Sequence, residues 1–412
     1  MSSGATRISL FVGKGGVGKS TLACATAVRD AEAGFRVLIV STDQAHSLGD
    51  VLGADVPPTG GREPVRVLTE PEEGCLDALE LDTLALLEDG WRKIAGVVAQ
   101  RFPDSDLGGV APEELSALPG AQEVLGLHTV GELADSGRWD HVVVDCASTA
   151  DALRMLSLPS TFGLYLERAW PRHRRLSTSS GDATGALVDA LERMAAGLDR
   201  LGELLADGDR VSAHLVLTAE QVVAAEAVRT LGALSLVGVR VEELIVNQVL
   251  TTDDDYAYDN LPRHPAFTWY AERIAEQTRV LDGLSESIGE VELILVPHRS
   301  GEPIGPTALG ALLDSARRRR GCPPPSPLRP VVDRESGSGL EAVYRMRLEL
   351  PKVDPGALTL GRADDDLVIG IGGWRRRVRL ASVLRRCVVV DAGLRGSELT
   401  VRFRPNPEVW PK

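Results

Sequence analysis

An apolar run, Ile8 to Val12, leads without a break into Gly-Lys-Gly-Gly-Val-Gly-Lys-Ser-Thr, Gly13 to Thr21, and an alanine-rich helical stretch runs from Lys19 to Ala33 with Gly34 behind it. No other stretch restricts the fold so sharply. A strand must end, the backbone must curl through conformations that favour glycine, and a helix must begin with its N-terminus facing the curl. Gly13-x-x-x-x-Gly18-Lys19-Ser20 has the spacing of a phosphate loop, in the strand-to-helix setting that such a loop needs. Nucleotide phosphates are expected on Gly13, Gly15, Gly16, Val17, Gly18, Lys19, Ser20 and Thr21. The helix N-terminus adds partial positive charge worth up to ~2 kcal/mol. Lys19 is expected to reach the β- and γ-phosphates, and the Ser20 hydroxyl to ligate Mg2+.

Further apolar runs follow at Phe35–Asp43, His141–Ala147, Ala213–Ala219, Glu242–Val249 and Val291–Pro297, alternating with helical patterns. Runs of this kind are buried on both faces of a parallel sheet. The expected class is α/β: a doubly wound, mostly parallel sheet over residues 1–320, with helical insertions at about 83–135 and 160–210. Leu84, Leu87, Trp91, Ile94 and Val98 form one helical stripe; Leu187, Leu191, Met194, Leu198, Leu201 and Leu205 form another. Each stripe packs on the domain or faces an apolar client or second subunit. Arg168–Asp182 is basic, then serine-rich, and reads as a loop. Residues 321–339 read as a Pro/Gly-rich linker. Beyond them, short alternating strands predict a small antiparallel β-sandwich over 340–412, in which Arg375–Arg377 is either an anion site or a charged, solvated edge.

Composition narrows the classes. The net charge of −14 makes nucleic acid an unfavoured partner. Five scattered cysteines without a C-x-x-C pair point to reduced thiols in the cytoplasm rather than disulfides or zinc. The polar N-terminus does not read as a signal peptide, and no apolar stretch is long enough for a transmembrane helix.

Lys14 makes the loop Lys-Gly-Gly-x-Gly-Lys-Ser, which resembles the deviant phosphate loop of the SIMIBI-class dimeric ATPases. That resemblance implies a homodimer in which Lys14 crosses to the other subunit's phosphates, a cation supplied in trans as an arginine finger is. Ser41–Gly53, "STDQAHSLGDVLG", resembles switch I of the arsenite-transport and tail-anchored-protein-targeting ATPase family, with Gln44 in place of a proline. Asp43 then orients the attacking water. Val142–Leu156, "VVVDCASTADALRML", resembles the same family's Walker B strand and switch II, here Cys146, Ala147, Ser148, Thr149 and Ala150. Asp145 would hold the Mg2+ shell through water. Ser148, Ala150 and Asp151 depart from the family's proline, glycine and histidine. Asn247 in "IVNQV" corresponds to the residue that reads the adenine edge, and Pro297 in "VPHRSGEPIG" to one that lines the base. Pro119–Leu127 echoes a segment near the switch and dimer region. The likeness spans residues 5 to 315. The β tail is similar to an α-crystallin-type small heat-shock fold, which some bacterial and plastid members carry.

The resemblance implies an ATP- and Mg2+-dependent homodimeric ATPase switch, with chaperone-like handling or targeting of hydrophobic, membrane-protein clients as its function. An alternative is an ATPase subunit energising arsenite or antimonite efflux, which needs thiolates that are not arranged in a recognisable triad here. A second alternative is a partitioning or positioning ATPase binding DNA or membrane. The departures in switch II leave open a structural role without hydrolysis.

Overall fold

The computed structural model describes residues 5–43, 47–59, 63–69, 74–88, 121–157, 196–197, 199–250, 264–289, 291–319, 330–350, 356, 358–371, 374–396 and 398–410. The chain divides into two compact units, residues 1–216 with 299–317, and residues 217–298 with 318–412.

The first unit is built on β1 (Arg7–Gly13), β2 (Arg36–Ser41), β3 (Pro58–Thr59), β4 (Val65–Thr69), β5 (Cys75–Leu81), β6 (His141–Asp145) and β7 (Val211–Thr218). Their order is β7-β1-β6-β2-β5-β3, all parallel, and β4 lies antiparallel to β5. From its second residue onward every position of β1 and β2 is buried, as are all of β5 and β6. This follows from helices covering both faces of a parallel sheet. The helices include α1 (Lys19–Glu32), α2 (Leu48–Leu52), α3 (Ala121–Asp135) and α6 (Pro306–Asp314). Leu10, Phe11, Leu22, Leu38, Ile39 and Leu76 are fully buried between them. At the start of β6, His141 Nδ1 lies 2.6 Å from Asp30 of α1 and its Nε2 lies 2.9 Å from Ser9 Oγ of β1. That buried network ties the helix after the phosphate loop to two central strands, and burial holds the His141 pKa below its ordinary value.

The sequence pattern did not announce β5. Its apolar run is broken by Asp77 and Glu80, yet both are buried with partners. Asp77 accepts from Trp139 Nε1 at 2.8 Å and from Arg66. Of the expected helical stripes, Leu87, Leu201 and Leu205 are buried and Leu84 is exposed. Trp91, Ile94, Val98, Leu187, Leu191, Met194 and Leu198, the loop 168–182 and Gln44 lie outside the described residues.

The second unit contains α4 (Gln221–Val237), β8 (Arg240–Val249), α5 (Pro265–Ser287) and β9 (Glu292–Pro297), with β8 and β9 parallel. After the two-residue β10 (Arg317–Arg318) come β11 (Val331–Ser336), β12 (Val343–Glu349), β13 (Leu358–Ala363), β14 (Asp366–Ile371), β15 (Trp374–Arg379), β16 (Cys387–Arg395) and β17 (Glu398–Pro405). They form two antiparallel sheets, β11-β12-β17-β16 and β13-β14-β15. The stretch expected as linker through residue 339 therefore contains a strand. Its charged residues pair across the sheet instead of marking a flexible chain: Asp333 with Arg345 and Arg347, Glu335 with Arg402. Met346, Leu348, Leu367, Ile369, Leu399, Val401 and Phe403 form the core of these sheets.

Leu236 of α4 is fully buried in that same core. Arg376, in the triplet read as an anion site or a solvated edge, is half-buried and donates to the Ser235 carbonyl at 3.4 Å. A cation there complements the partial negative charge at the end of α4.

Candidate functional site

The loop is shaped by two different demands on glycine. Gly16 and Gly18 adopt φ of 82° and 92°, the left-handed region. Gly13 is required by close approach, because a Cβ there would sit 2.2 Å from the Val216 carbonyl oxygen of neighbouring β7. Gly18 caps α1, and the Leu22 N–H bonds back to its carbonyl at 3.0 Å. Lys19 is buried, and its Nζ donates to the Lys14 carbonyl at 3.3 Å, so the lysine folds over the curl of backbone. Lys14, Gly15 and Gly16 are exposed at its tip and Val17 is buried beneath.

The ends of β2 and β6 bring the carboxylates to this loop. The Thr42 N–H donates to the Asp145 carbonyl at 3.0 Å, which holds the two strand ends together. The Asp43 N–H is anchored on Ser41 Oγ at 3.1 Å. Asp145 is fully buried. Neither of its carboxylate oxygens accepts a hydrogen bond of regular geometry among the described residues, although the Ser20 hydroxyl is near enough to lower its pKa. Burial, then the charge of Asp43, raise that pKa to about 6 against the opposing pull of Ser20 and Lys19. Lys19, Ser20, Asp43 and Asp145 therefore share one electrostatic site.

Ser47, just before α2, donates to Ser20 Oγ at 3.2 Å. Glu80 of β5 accepts from the N–H groups of Leu48 and Gly49 at 2.9 and 3.4 Å and so caps α2 from across the sheet. Ser47 falls within the Ser41–Gly53 resemblance without a role of its own there, and Glu80 falls within no motif. Ser47 was legible as a helix-start residue; Glu80 lies 32 positions from the group it caps and leaves no local signal.

In the segment expected to be switch II, the Cys146 N–H donates to the Phe11 carbonyl at 3.2 Å, and the thiol is buried, which pushes its pKa up. Ala147 follows, and Thr149 and Ala150 open a helical stretch at 149–157. Ser148 Oγ bonds to Asp151 Oδ2 at 2.6 Å, and the Asp151 N–H returns to Ser148 Oγ at 3.4 Å. The two departures from the family pattern explain one another, since together they form a serine–acid cap at the start of that helix.

Asn247 and Pro297 belong to the second unit. Asn247 is buried near the end of β8, and its Oδ1 accepts the Gln248 N–H at 2.9 Å. Pro297 pairs with Val249 just past a register shift between the two strands. No described helix is long and apolar enough to cross a membrane.

A glycine-wrapped loop at a strand–helix junction, with a buried lysine, a hydroxyl and a carboxylate at the neighbouring strand end, defines a nucleotide-binding P-loop protein. Residues 6–315 match the family model described as anion-transporting ATPase, and residues 341–403 match an HSP20-like domain found in ArsA. The chain is 71% identical over 409 residues to protein Rv2184c of Mycobacterium tuberculosis, covering 98% of this chain and 97% of that relative. It is 34% identical over 423 residues to protein SCO2128 of Streptomyces coelicolor, covering 98% and 99%. It is 31% identical over 252 residues to the arsenical pump-driving ATPase of Escherichia coli, covering 60% of this chain and 40% of that relative. The chain belongs to the anion-transporting ATPase family, carries that family's HSP20-like domain, and is an ATPase.

Proposed function

We propose that this ATPase is a Mg2+-dependent homodimeric switch whose nucleotide state governs the handling of hydrophobic client segments. The observation that carries the nucleotide part is the convergence of Lys19, Ser20 and Asp43 on the buried, hydrogen-bond-poor carboxylate of Asp145. A buried carboxylate whose nearest donor is the Ser20 hydroxyl suits a hydrated divalent cation, with that hydroxyl as direct ligand and Asp145 acting through water. When bound, Mg2+ supplies neutralisation of phosphate charge. Asp43, half-buried at the end of β2, orients the attacking water. Lys19 neutralises the phosphates from within its own subunit, and the exposed position of Lys14 at the loop tip supports its reaching the partner's phosphates. Asn247 and Pro297 receive the adenine.

For the client, support comes from β16, an edge strand whose Val388, Val389 and Val390 are 45%, 40% and 49% exposed. Three successive exposed valines, ahead of the paired charge of Asp391, suit extended, hydrophobic chain. The efflux reading draws on the similarity to the arsenical pump-driving ATPase of Escherichia coli. Against it, Cys24, Cys75, Cys146 and Cys387, the described cysteines, are all buried and offer no thiolate at a surface. Lys14→Ala is expected to keep ATP binding and lose turnover, and normal turnover would refute the trans lysine. Suppression of aggregation of a membrane-segment peptide tests the client reading; antimonite-stimulated turnover without it would favour efflux.

A further inference from the structure

We infer that Gln277 is a positioning residue for the base-reading end of β8, holding a strained turn that sets the direction of the Asn247 amide. The inference rests on the reading of Asn247 as the residue that meets the base.

β8 runs in regular parallel register with β9 as far as Val246, and the register shifts before Val249. Between them Gln248 adopts φ of 58°, one of only two non-glycine residues with positive φ among the described residues. Left-handed backbone is costly for a residue with a Cβ, so something must hold it there. Gln277 does so from α5. It is buried, its Oε1 accepts the Leu250 N–H at 2.8 Å, and its Nε2 donates to the Gln248 carbonyl at 3.2 Å. One side-chain amide thus joins the two sides of the kink. The kink in turn reaches Asn247, because the Gln248 N–H donates to Asn247 Oδ1 at 2.9 Å. Which way the Asn247 carboxamide faces therefore depends on the Gln248 peptide, and that peptide's orientation depends on Gln277. Filling the space needs no amide; a leucine or methionine would do. The use of both donor and acceptor on consecutive parts of a strained strand end marks a geometric duty.

The strained turn lies beside a group that must present a defined donor–acceptor pattern, and the selectivity it would confer is between adenine and guanine. Loss of the clamp weakens discrimination while leaving phosphate contacts alone.

The test measures dissociation constants of ATP and GTP, both with Mg2+, on the full-length chain. Asn247→Ala is the reference variant. Gln277→Leu is expected to lower the ATP-over-GTP preference by about three- to tenfold, the share of one or two neutral hydrogen bonds, while GTP affinity changes less than about twofold. Should Gln277→Leu fold poorly, Gln277→Met gives the same reading with an unbranched side chain. Gln248→Gly placed in the Gln277→Leu background is expected to restore much of the preference, because glycine takes the left-handed turn without being held. A general loss of packing would not be rescued in this way. An unchanged preference in Gln277→Leu or Gln277→Met, while Asn247→Ala loses it, overturns the positioning role alone. An unchanged preference in Asn247→Ala overturns the base reading, and the role of Gln277 with it.

Discussion

Asp145 is a carboxylate held without solvent and without a regular hydrogen-bond partner among the described residues, so the ligand-free protein bears a cost for keeping it charged. Its pKa is raised from 3.8 to about 6. A group whose folded pKa lies above its unfolded value stabilises the fold fully below the unfolded pKa and ceases to do so as pH rises through the folded one. The window is thus from 3.8 to about 6. A shift of about two units corresponds to ~3 kcal/mol across the whole window. Asp145→Asn removes the titration, and the cost of burying the amide is the same at every pH, so it cancels from a difference in pH dependence. The stability of the wild type relative to Asp145→Asn should therefore rise by about 2 kcal/mol between about pH 7 and about pH 4.5. Urea unfolding of both proteins in EDTA without nucleotide, followed by circular dichroism across that range, measures it. A difference that stays flat, or that falls as the solution is acidified, would refute the argument that burial dominates this carboxylate.

Gly13→Ala and Gly15→Ala should separate two uses of glycine. A Cβ at Gly13 meets backbone at 2.2 Å and one at Gly15 meets nothing within 4 Å, so calorimetry of the ligand-free proteins should show the first destabilised by about 1–3 kcal/mol and the second hardly changed. Leu236→Ala empties a site in the core of the HSP20-like domain and should cost about 2–5 kcal/mol in the second unit; a neutral result in denaturant would show that α4 does not share that core. Glu80→Ala strips the acceptor from Leu48 and Gly49 at a cost of about 1–3 kcal/mol. Faster hydrogen exchange at those two α2 amides is the expected signature, with the amides of the sheet unaltered.

The sequence by itself determined the features whose causes lie within a few residues of one another. Gly16 and Gly18 announce a curl because few other residues tolerate their backbone, and the apolar runs around Val12, Val40 and Val144 announce strands buried on both faces. The serine–acid cap at Ser148 and Asp151 is also legible, three positions apart, although against the family pattern the two residues stand out only as departures. Tertiary structure alone decided the rest. Strand β5 was hidden because Asp77 and Glu80 look like solvated charges until Trp139, Arg66 and the start of α2 are brought to them. β11 was hidden because its charges pair across strands with Arg345, Arg347 and Arg402. Gln277 acts on backbone 27 and 29 positions away, and Arg376 caps a helix 141 positions before it. Periodicity and spacing record what neighbours along the chain require of each other. A polar side chain that satisfies distant backbone is specified by the fold that brings it there, and only then does its chemical type become informative.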